Sequence, residues 1–567
     1  MGLRAAQSCR SPAIGTTIPM NDPDRRIGVS RVGATEYDFI VVGGGSAGSI
    51  LGARLSERGA RVLLLEAGAD RHVLPYDLPF LAAKLFSFKA NNWAFECVPQ
   101  KGMNGRTQFF PRGKMLGGSF IFNGAQYIRG NPADFNHWAQ LGNPGWSYED
   151  VLPYFCKSED YRGSPGSYHG TGGRLAVAKP RMCNPLTDIY LKACVEAGHP
   201  LNEDFNGASQ EGFGLYDFNI IDGRRMTTAR AFLRPAMSRE NLNVVTEALV
   251  RRVILHDGQA VGVEYERGDR IDTAMVRHEI VLAAGSFNSP KILMLSGIGD
   301  PQDLAPHGIP IAHALRGVGK NMQDHVNVSV AHAATQPISF ARTLRVHRLA
   351  AAMLQGVLLK RGQITQSPLE AGGFFSSRDG ADAPEFQAVF IPWYPGSGLR
   401  LWMPWADRME GHSFVAHVWP NRPESRGRMW LASNDPKAPP VFDPNFLSEE
   451  SDLALTRAAI RETRRIFAQP AFDAVRGEEL APGADIRSDD ELDQYIRQSS
   501  GIGHHTCGTA RMGQDAMAVV DHQLQVRGIG GLRVADASIM PTMVSGNTNA
   551  ATIMIAEKAA DMMLAAS

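Results

Sequence analysis

The chain has 567 residues, 44% hydrophobic and 20% charged, with 58 Lys+Arg against 58 Asp+Glu and a formal net charge of +0. That length implies two or more lobes, and the composition is that of a globular protein, not a disordered or collagen-like one. The charge balance excludes a polyelectrolyte: it suggests neither nucleic acid nor an anionic membrane as partner.

The first 35 or so residues lack the apolar core of a signal peptide and are expected to form a flexible tail, residues 1–35. No stretch of about 18 apolar residues follows, so no transmembrane segment is expected. The six cysteines, Cys9, Cys97, Cys156, Cys183, Cys194 and Cys507, are scattered without a CxxC pair. That pattern suits reduced thiols in a cytosolic protein and offers no disulfide frame and no metal site.

Tyr37–Val42 reads as a strand, Gly43–Gly48 as a tight turn opening a helix, and Arg61–Leu65 as a second strand ending at Glu66. This is the grammar of a dinucleotide cradle. Gly43 permits the turn, Gly45 lets the backbone approach a pyrophosphate, and Gly48 lets helix and strand pack closely. The helix start at Ser46 and Ala47 supplies free N–H groups and a partial positive charge for phosphates. Glu66, about twenty residues after the first glycine, is placed to accept from a ribose. The motif alone does not separate FAD from NAD.

Further on, Arg112–Gly124 is glycine-dense, and Leu242–Val245 and Leu249–Tyr265 alternate as strands of an antiparallel meander would. Ile280–Ala284 is a buried strand running into a Gly285 turn and a helix. Residues 150–230 and 330–495 are richer in loops, prolines and aromatics. Within them, Phe390–Tyr394 and Trp402–Trp405 read either as packed loop core or as an apolar wall over a pocket. The C-terminus returns to the first grammar with Gly531–Pro541, then Gly546–Asn549, then an Ala/Met/Ile helix. There is no internal repeat.

Taken in order, these segments resemble the glucose–methanol–choline (GMC) oxidoreductases, in the branch of choline-dehydrogenase-like FAD alcohol dehydrogenases and oxidases. Arg112–Asn123 with Tyr127–Asp134, Gly285–Gly299 and Gly317–His325 carry the likeness, which runs from Tyr37 to Asp561. The resemblance implies an α/β fold: a Rossmann-like FAD-binding domain (36–150, 231–330 and 496–567) interleaved with an α+β substrate-binding domain built on an antiparallel sheet (151–230 and 331–495). It implies FAD as cofactor, near Gly117, Gly118, Ser119, Asn123 and Gly124, with the backbone of Val250 at the adenine. Asp536 and Ala537 are expected near the phosphate and ribityl chain, and Asn547, Thr548 and Thr552 complete the cofactor set. Relatives that attach FAD covalently do so through a His immediately before the Asn of the first signature. Here that position is Phe122, so non-covalent FAD is expected.

The same resemblance aligns Gly508-Thr509 and Arg511–Gly513 so that His505 is the catalytic base and Asn549 its partner, with His504 lining the pocket beside it. An alcohol cannot lose a hydride from carbon unless its hydroxyl proton also leaves, and an imidazole is an apt acceptor. The His-X-X-Gly-Thr stretch departs from the family at Cys507 and Ala510, and Ala551 stands where Pro is common. Glu370 falls where choline-oxidising relatives place a carboxylate against a trimethylammonium group; a structural role is the alternative. The reaction implied is oxidation of an alcohol to the aldehyde or ketone, with oxygen or a quinone-type acceptor. A non-redox relative such as a hydroxynitrile lyase, or an inactive flavin-binding protein, are the competing readings. A cytoplasmic location follows from the cysteines, with peripheral attachment to an inner membrane and the oligomeric state left open.

Overall fold

The computed structural model describes residues 36–71, 74–81, 91–377, 380–397 and 409–566. The expected tail and the Trp402–Trp405 segment lie outside the described residues.

Two sheets organise the chain. The first has five parallel strands in the order Leu242–Val245, Val62–Leu65, Glu36–Val42, Arg270–Leu282 and Leu532–Val534. The Arg270–Leu282 strand is long enough to serve twice. Its second half lies in the parallel core, while its first half pairs antiparallel with Gln259–Arg267, which in turn pairs with Ala248–His256. The hairpin expected within Leu249–Tyr265 is therefore present. Leu242–Val245 is not part of a meander; it is a parallel edge strand in register with Val62–Leu65. Alternation reports that one face is buried and does not tell which way the neighbour runs.

The first helix, Ser46–Glu57, packs against the C-terminal helix Asn549–Ala566. The latter is apolar all round, which suits a helix buried on nearly every side. A buried ionic clamp helps join the pair: Arg54 Nε and Nη2 donate to the Glu557 carboxylate at 2.9 and 2.8 Å. Such a fork satisfies a fully buried carboxylate that would otherwise be costly.

The second sheet is antiparallel, in the order Arg476–Ala481, Val326–Ala334, Ser413–Pro420, Phe386–Ile391, Ala371–Phe375 and Gly212–Leu215. The Val326–Ala334 strand crosses the 330/331 boundary drawn from sequence. Helices Pro185–Glu196 and Glu450–Phe467 cover the sheet through an aromatic core in which Tyr190 stacks on Phe390 at 4.3 Å. Phe390 of the aromatic run is thus core. The loop after Ile502 ties the sheets together: Gly503 N–H donates to His325 O at 2.7 Å, and Cys507 and Gln323 exchange backbone bonds.

The first turn tolerates no side chain. Gly43 has φ +101°, and a Cβ on Gly48 would lie 1.7 Å from Gly43 O. Gly48→Ala is expected to cost about 3 kcal/mol or more, as backbone must move. A Cβ on Gly52 would crowd the tip of Leu64 at 2.9 Å and touch those of Leu233 and Leu242, all side-chain ends that can shift, so Gly52→Ala keeps most of a helix-propensity gain of about 1 kcal/mol. Denaturant midpoints of the two variants check this; equal values would contradict it.

Candidate active site

A cleft opens at the carboxyl ends of the parallel strands, where ligands bind in such sheets. Its floor is built from the predicted turn. Gly45 caps the first helix without a side-chain bond, and no acid occupies the first turn, so the N–H groups at Ser46 and Ala47 face the cleft. A Cβ on Gly45 would meet only Gly118 Cα, at 3.8 Å, whereas one on Gly118 would come within 2.7 Å of Gly45 Cα. The two glycine turns therefore face each other across a gap that any Cβ on Gly118 would close. Ser119, Asn123, Gly124, Val250, Ala537, Asn547, Thr548 and Thr552 also line the cleft. Gly117 underlies it, with φ +96° supporting the turn. This donor-rich, acid-free start of a helix suits a pyrophosphate.

Two carboxylates in the cleft hold the protein itself. Glu66 accepts from Gly44 N–H at 2.8 Å and Gly68 N–H at 2.7 Å, fixing the turn that shapes the cradle. Burial pushes its pKa up, against those bonds and Lys114. Each oxygen keeps a further acceptor position for a ribose hydroxyl. Asp536 accepts from Gly285 N–H at 2.8 Å, Ser289 Oγ at 2.5 Å, and Ser538 N–H and Oγ at 2.9 and 2.6 Å. Its side chain is committed, leaving its backbone for a ligand.

At the other end sits a chain of imidazoles. His325 Nε2 lies 2.9 Å from Asn421 O, and a carbonyl can only accept, so Nε2 carries the proton. In neutral His325, Nδ1 must then accept. His505 Nδ1, 2.8 Å away, therefore donates. That leaves the lone pair of His505 on Nε2, where Asn547 Nδ2 approaches at 3.0 Å. Gln387 Nε2 holds the far side of that amide, donating to Asn547 Oδ1 at 3.4 Å.

The backbone under His505 is equally constrained. Its N–H donates to Asp324 Oδ1 at 2.8 Å, and Thr506 Oγ1 donates to Asp324 Oδ2 at 2.5 Å. Arg112 Nη2 reaches Thr506 Oγ1 at 2.6 Å and lies 3.9 Å from Asp324. Burial pushes Asp324 up to about 6 despite Arg112, and Arg112 down to about 10. Burial first, then neighbouring His325, His504 and Arg112, hold His505 well below an ordinary imidazole. The Trp419 ring stands 6.2 Å from His505.

Placement corrects two sequence expectations. Asn547, not Asn549, is the amide against His505; Asn549 accepts from Ser46 Oγ at 2.7 Å, at the start of the first helix. Asn549 opens the last helix, so its side chain turns to the helix pair, while Asn547 in the preceding loop faces the second sheet. Glu370 is not presented to the cleft. It is fully buried and accepts from Asn184 N–H and Thr187 Oγ1, both at 2.7 Å, at the start of the Pro185–Glu196 helix. His504 does line the cleft, with φ +61°. The motifs containing His325 and Arg112 give neither residue a role, and no motif points to Asn421 or Gln387. Pairing in the second sheet brings His325, Gln387 and Asn421 together, and Arg112 reaches the site through Thr506 and Asp324.

Family models named GMC oxidoreductase match residues 37–327 and 423–556. The chain belongs to the GMC oxidoreductase family. It is 40% identical over 535 residues to the oxygen-dependent choline dehydrogenase of Brucella suis biovar 1, covering 93% of this chain and 96% of that one. Among solved structures, pyridoxine 4-oxidase from Mesorbium loti superposes with TM-score 0.84 at 30% identity, covering 93% of this chain and 99% of that one. Formate oxidase from Aspergillus oryzae RIB40 gives 0.86 at 26%, covering 94% and 98%. This GMC oxidoreductase is an FAD enzyme of the choline-dehydrogenase-like kind, and the glycine cradle fits that cofactor.

Its buried imidazoles set a pH dependence. Burial pushes His325 down to about 4 and His504 to about 3. They stay neutral in the folded protein, while the unfolded chain takes protons below pH about 6.5. Their stabilisation is fully present above that pH and is lost as pH falls towards the folded values, about 3 kcal/mol for His325. Asp324 acts oppositely between pH about 4 and 6, because the folded chain holds its proton there. Apoprotein denaturant midpoints should fall on acidification below pH about 6.5, and fall less in His504→Asn, since Asn tolerates the positive φ. A flat wild-type profile would overturn this.

Proposed function

We propose that this GMC oxidoreductase oxidises an uncharged alcohol to its carbonyl product, with His505 as the base and Asn547 as its partner. The carrying observation is the hydrogen-bond chain from Asn421 through His325, which leaves an unprotonated Nε2 on His505 at the cleft. That nitrogen takes the hydroxyl proton. Asn547 holds the alcohol oxygen, giving up its contact with Nε2 when the substrate enters. His504 lines the cleft beside the base, and the buried Trp419 ring backs it. Bound FAD supplies the two-electron oxidant. Gly45, Ser46, Ala47, Gly118 and Glu66 would hold its phosphates and ribose.

An uncharged substrate is favoured because Glu66 and Asp536 are the only acids lining the described part of the cleft, and both already hold backbone. No carboxylate there is left for a quaternary ammonium group. The likeness to choline dehydrogenases favours choline as the second reading. An anaerobic flavin-bleaching screen over aliphatic, aromatic and quaternary-ammonium alcohols, repeated in air with peroxide detection, separates the two and identifies oxygen as acceptor or not. Bleaching by choline alone would overturn the uncharged-alcohol reading; no bleaching by any alcohol would favour a non-redox relative.

His505→Ala should keep its flavin and slow alcohol-driven bleaching by roughly two to four orders of magnitude, with His504→Ala slowing it less. A reversed order would reassign the base. Phe122 is buried in a small apolar cluster with Tyr76, Met115 and Ile121 and has no nucleophilic atom, which supports non-covalent FAD. Acid precipitation should leave the yellow colour in the supernatant; colour retained by the denatured pellet would contradict this.

A further inference from the structure

The helix Val346–Leu359 takes no part in the site described above. From Leu349 to Leu359 it carries no charged residue. A helix apolar all round is ordinarily buried on every side. This one fully buries only Gly356, where a Cβ would lie 2.3 Å from Ile364 Cγ2. Its outward face is open. Val346, Leu354, Leu358 and Leu359 are 51%, 62%, 68% and 63% exposed, the last three being the most exposed large apolar side chains among the described residues. Ala350 and Ala351 lie exposed on the same side, so with Leu354 and Leu358 they form a stripe at helical spacing.

The charges around the stripe decide what covers it. Arg342 and Arg348 stand exposed at one end, Lys360 and Arg361 at the other, and no acidic residue occurs between Asp324 and Glu370. None of these four cations forms an ion pair among the described residues. An apolar stripe with a basic collar matches a membrane interface, where acyl chains take the leucines and anionic headgroups take the collar. A second copy of the chain matches poorly, because a two-fold contact would set two collars of one sign together. The first 35 residues match poorly as well, carrying five arginines against two aspartates.

We propose that this face docks the enzyme peripherally on an anionic phospholipid bilayer, with the helix Val346–Leu359 lying in the interface. The zero net charge does not oppose this, because attraction at a surface is set by charges within about a Debye length, ~8 Å at physiological salt. Among the described residues no helix is long and apolar enough to cross a membrane, so the docking is one-sided.

The test is flotation of the holoenzyme with phosphatidylcholine vesicles and with vesicles of equal parts phosphatidylcholine and phosphatidylglycerol. The wild type should float with the anionic vesicles only and be released by high salt. Leu354→Glu/Leu358→Glu should lose at least tenfold in vesicle affinity while keeping its flavin and its alcohol oxidation in solution. Lys360→Glu/Arg361→Glu, which disturbs no packed residue, should weaken binding and leave the same activity intact. The proposal is overturned if the wild type does not float, or if it floats and neither variant changes that. It is overturned equally if the leucine variant only dissolves a concentration-dependent dimer.

Discussion

The chemistry of this site depends on one carbonyl. Asn421 O accepts the Nε2 proton of His325, and that single bond dictates the protonation of every nitrogen towards the cleft. The bond is a product of sheet register. Val326–Ala334 and Ser413–Pro420 pair antiparallel with Val328 opposite Val418, and the same register continued past both strand ends sets His325 against Asn421. A one-residue slip would turn the carbonyl away. In the proposed reaction the second sheet therefore acts by fixing a tautomer.

Around that chain the electrostatics are arranged to keep imidazoles neutral. Burial disfavours a proton on all three histidines, and His325, His504 and the Arg112 guanidinium add to that effect on His505, as Arg112 does on His504. Asp324 does not pair with the His505 ring: its oxygens face the His505 backbone N–H and Thr506 Oγ1, with Arg112 beyond. The carboxylate thus fixes the loop and not the ring. This differs from a base that relies on a carboxylate at its second nitrogen, since a neutral imidazole holds the proton on His505 Nδ1 without stabilising a cation.

The cofactor cradle was legible because its constraints are local. Gly43 to Gly48 must be glycine-rich for reasons that operate within a few residues, and Glu66 follows at a fixed distance along one strand–helix–strand unit. The place of His505 at the cleft was legible through its motif. The choice of Asn549 over Asn547 as partner had no physical basis in the motif, since two asparagines two residues apart fit the same pattern. What distinguishes them is that one precedes the last helix and faces His505, while the other begins it and faces Ser46. Glu370 misled for a related reason: a carboxylate near a glycine-rich strand serves a helix start as readily as a ligand. His325 and Asn421 lay beyond sequence reasoning, because nearly a hundred residues separate partners that only strand pairing unites.

The central claim is that His505 presents an unprotonated Nε2 to the alcohol throughout the ordinary pH range. Its most direct test is the rate constant of anaerobic flavin reduction at saturating alcohol, followed as a function of pH. The account predicts a rate that stays level as pH falls from alkaline values to below about 6.5, the titration point of a free imidazole. A rate that declines with a midpoint at or above that value would show that His505 is protonated in the resting enzyme, and would contradict it.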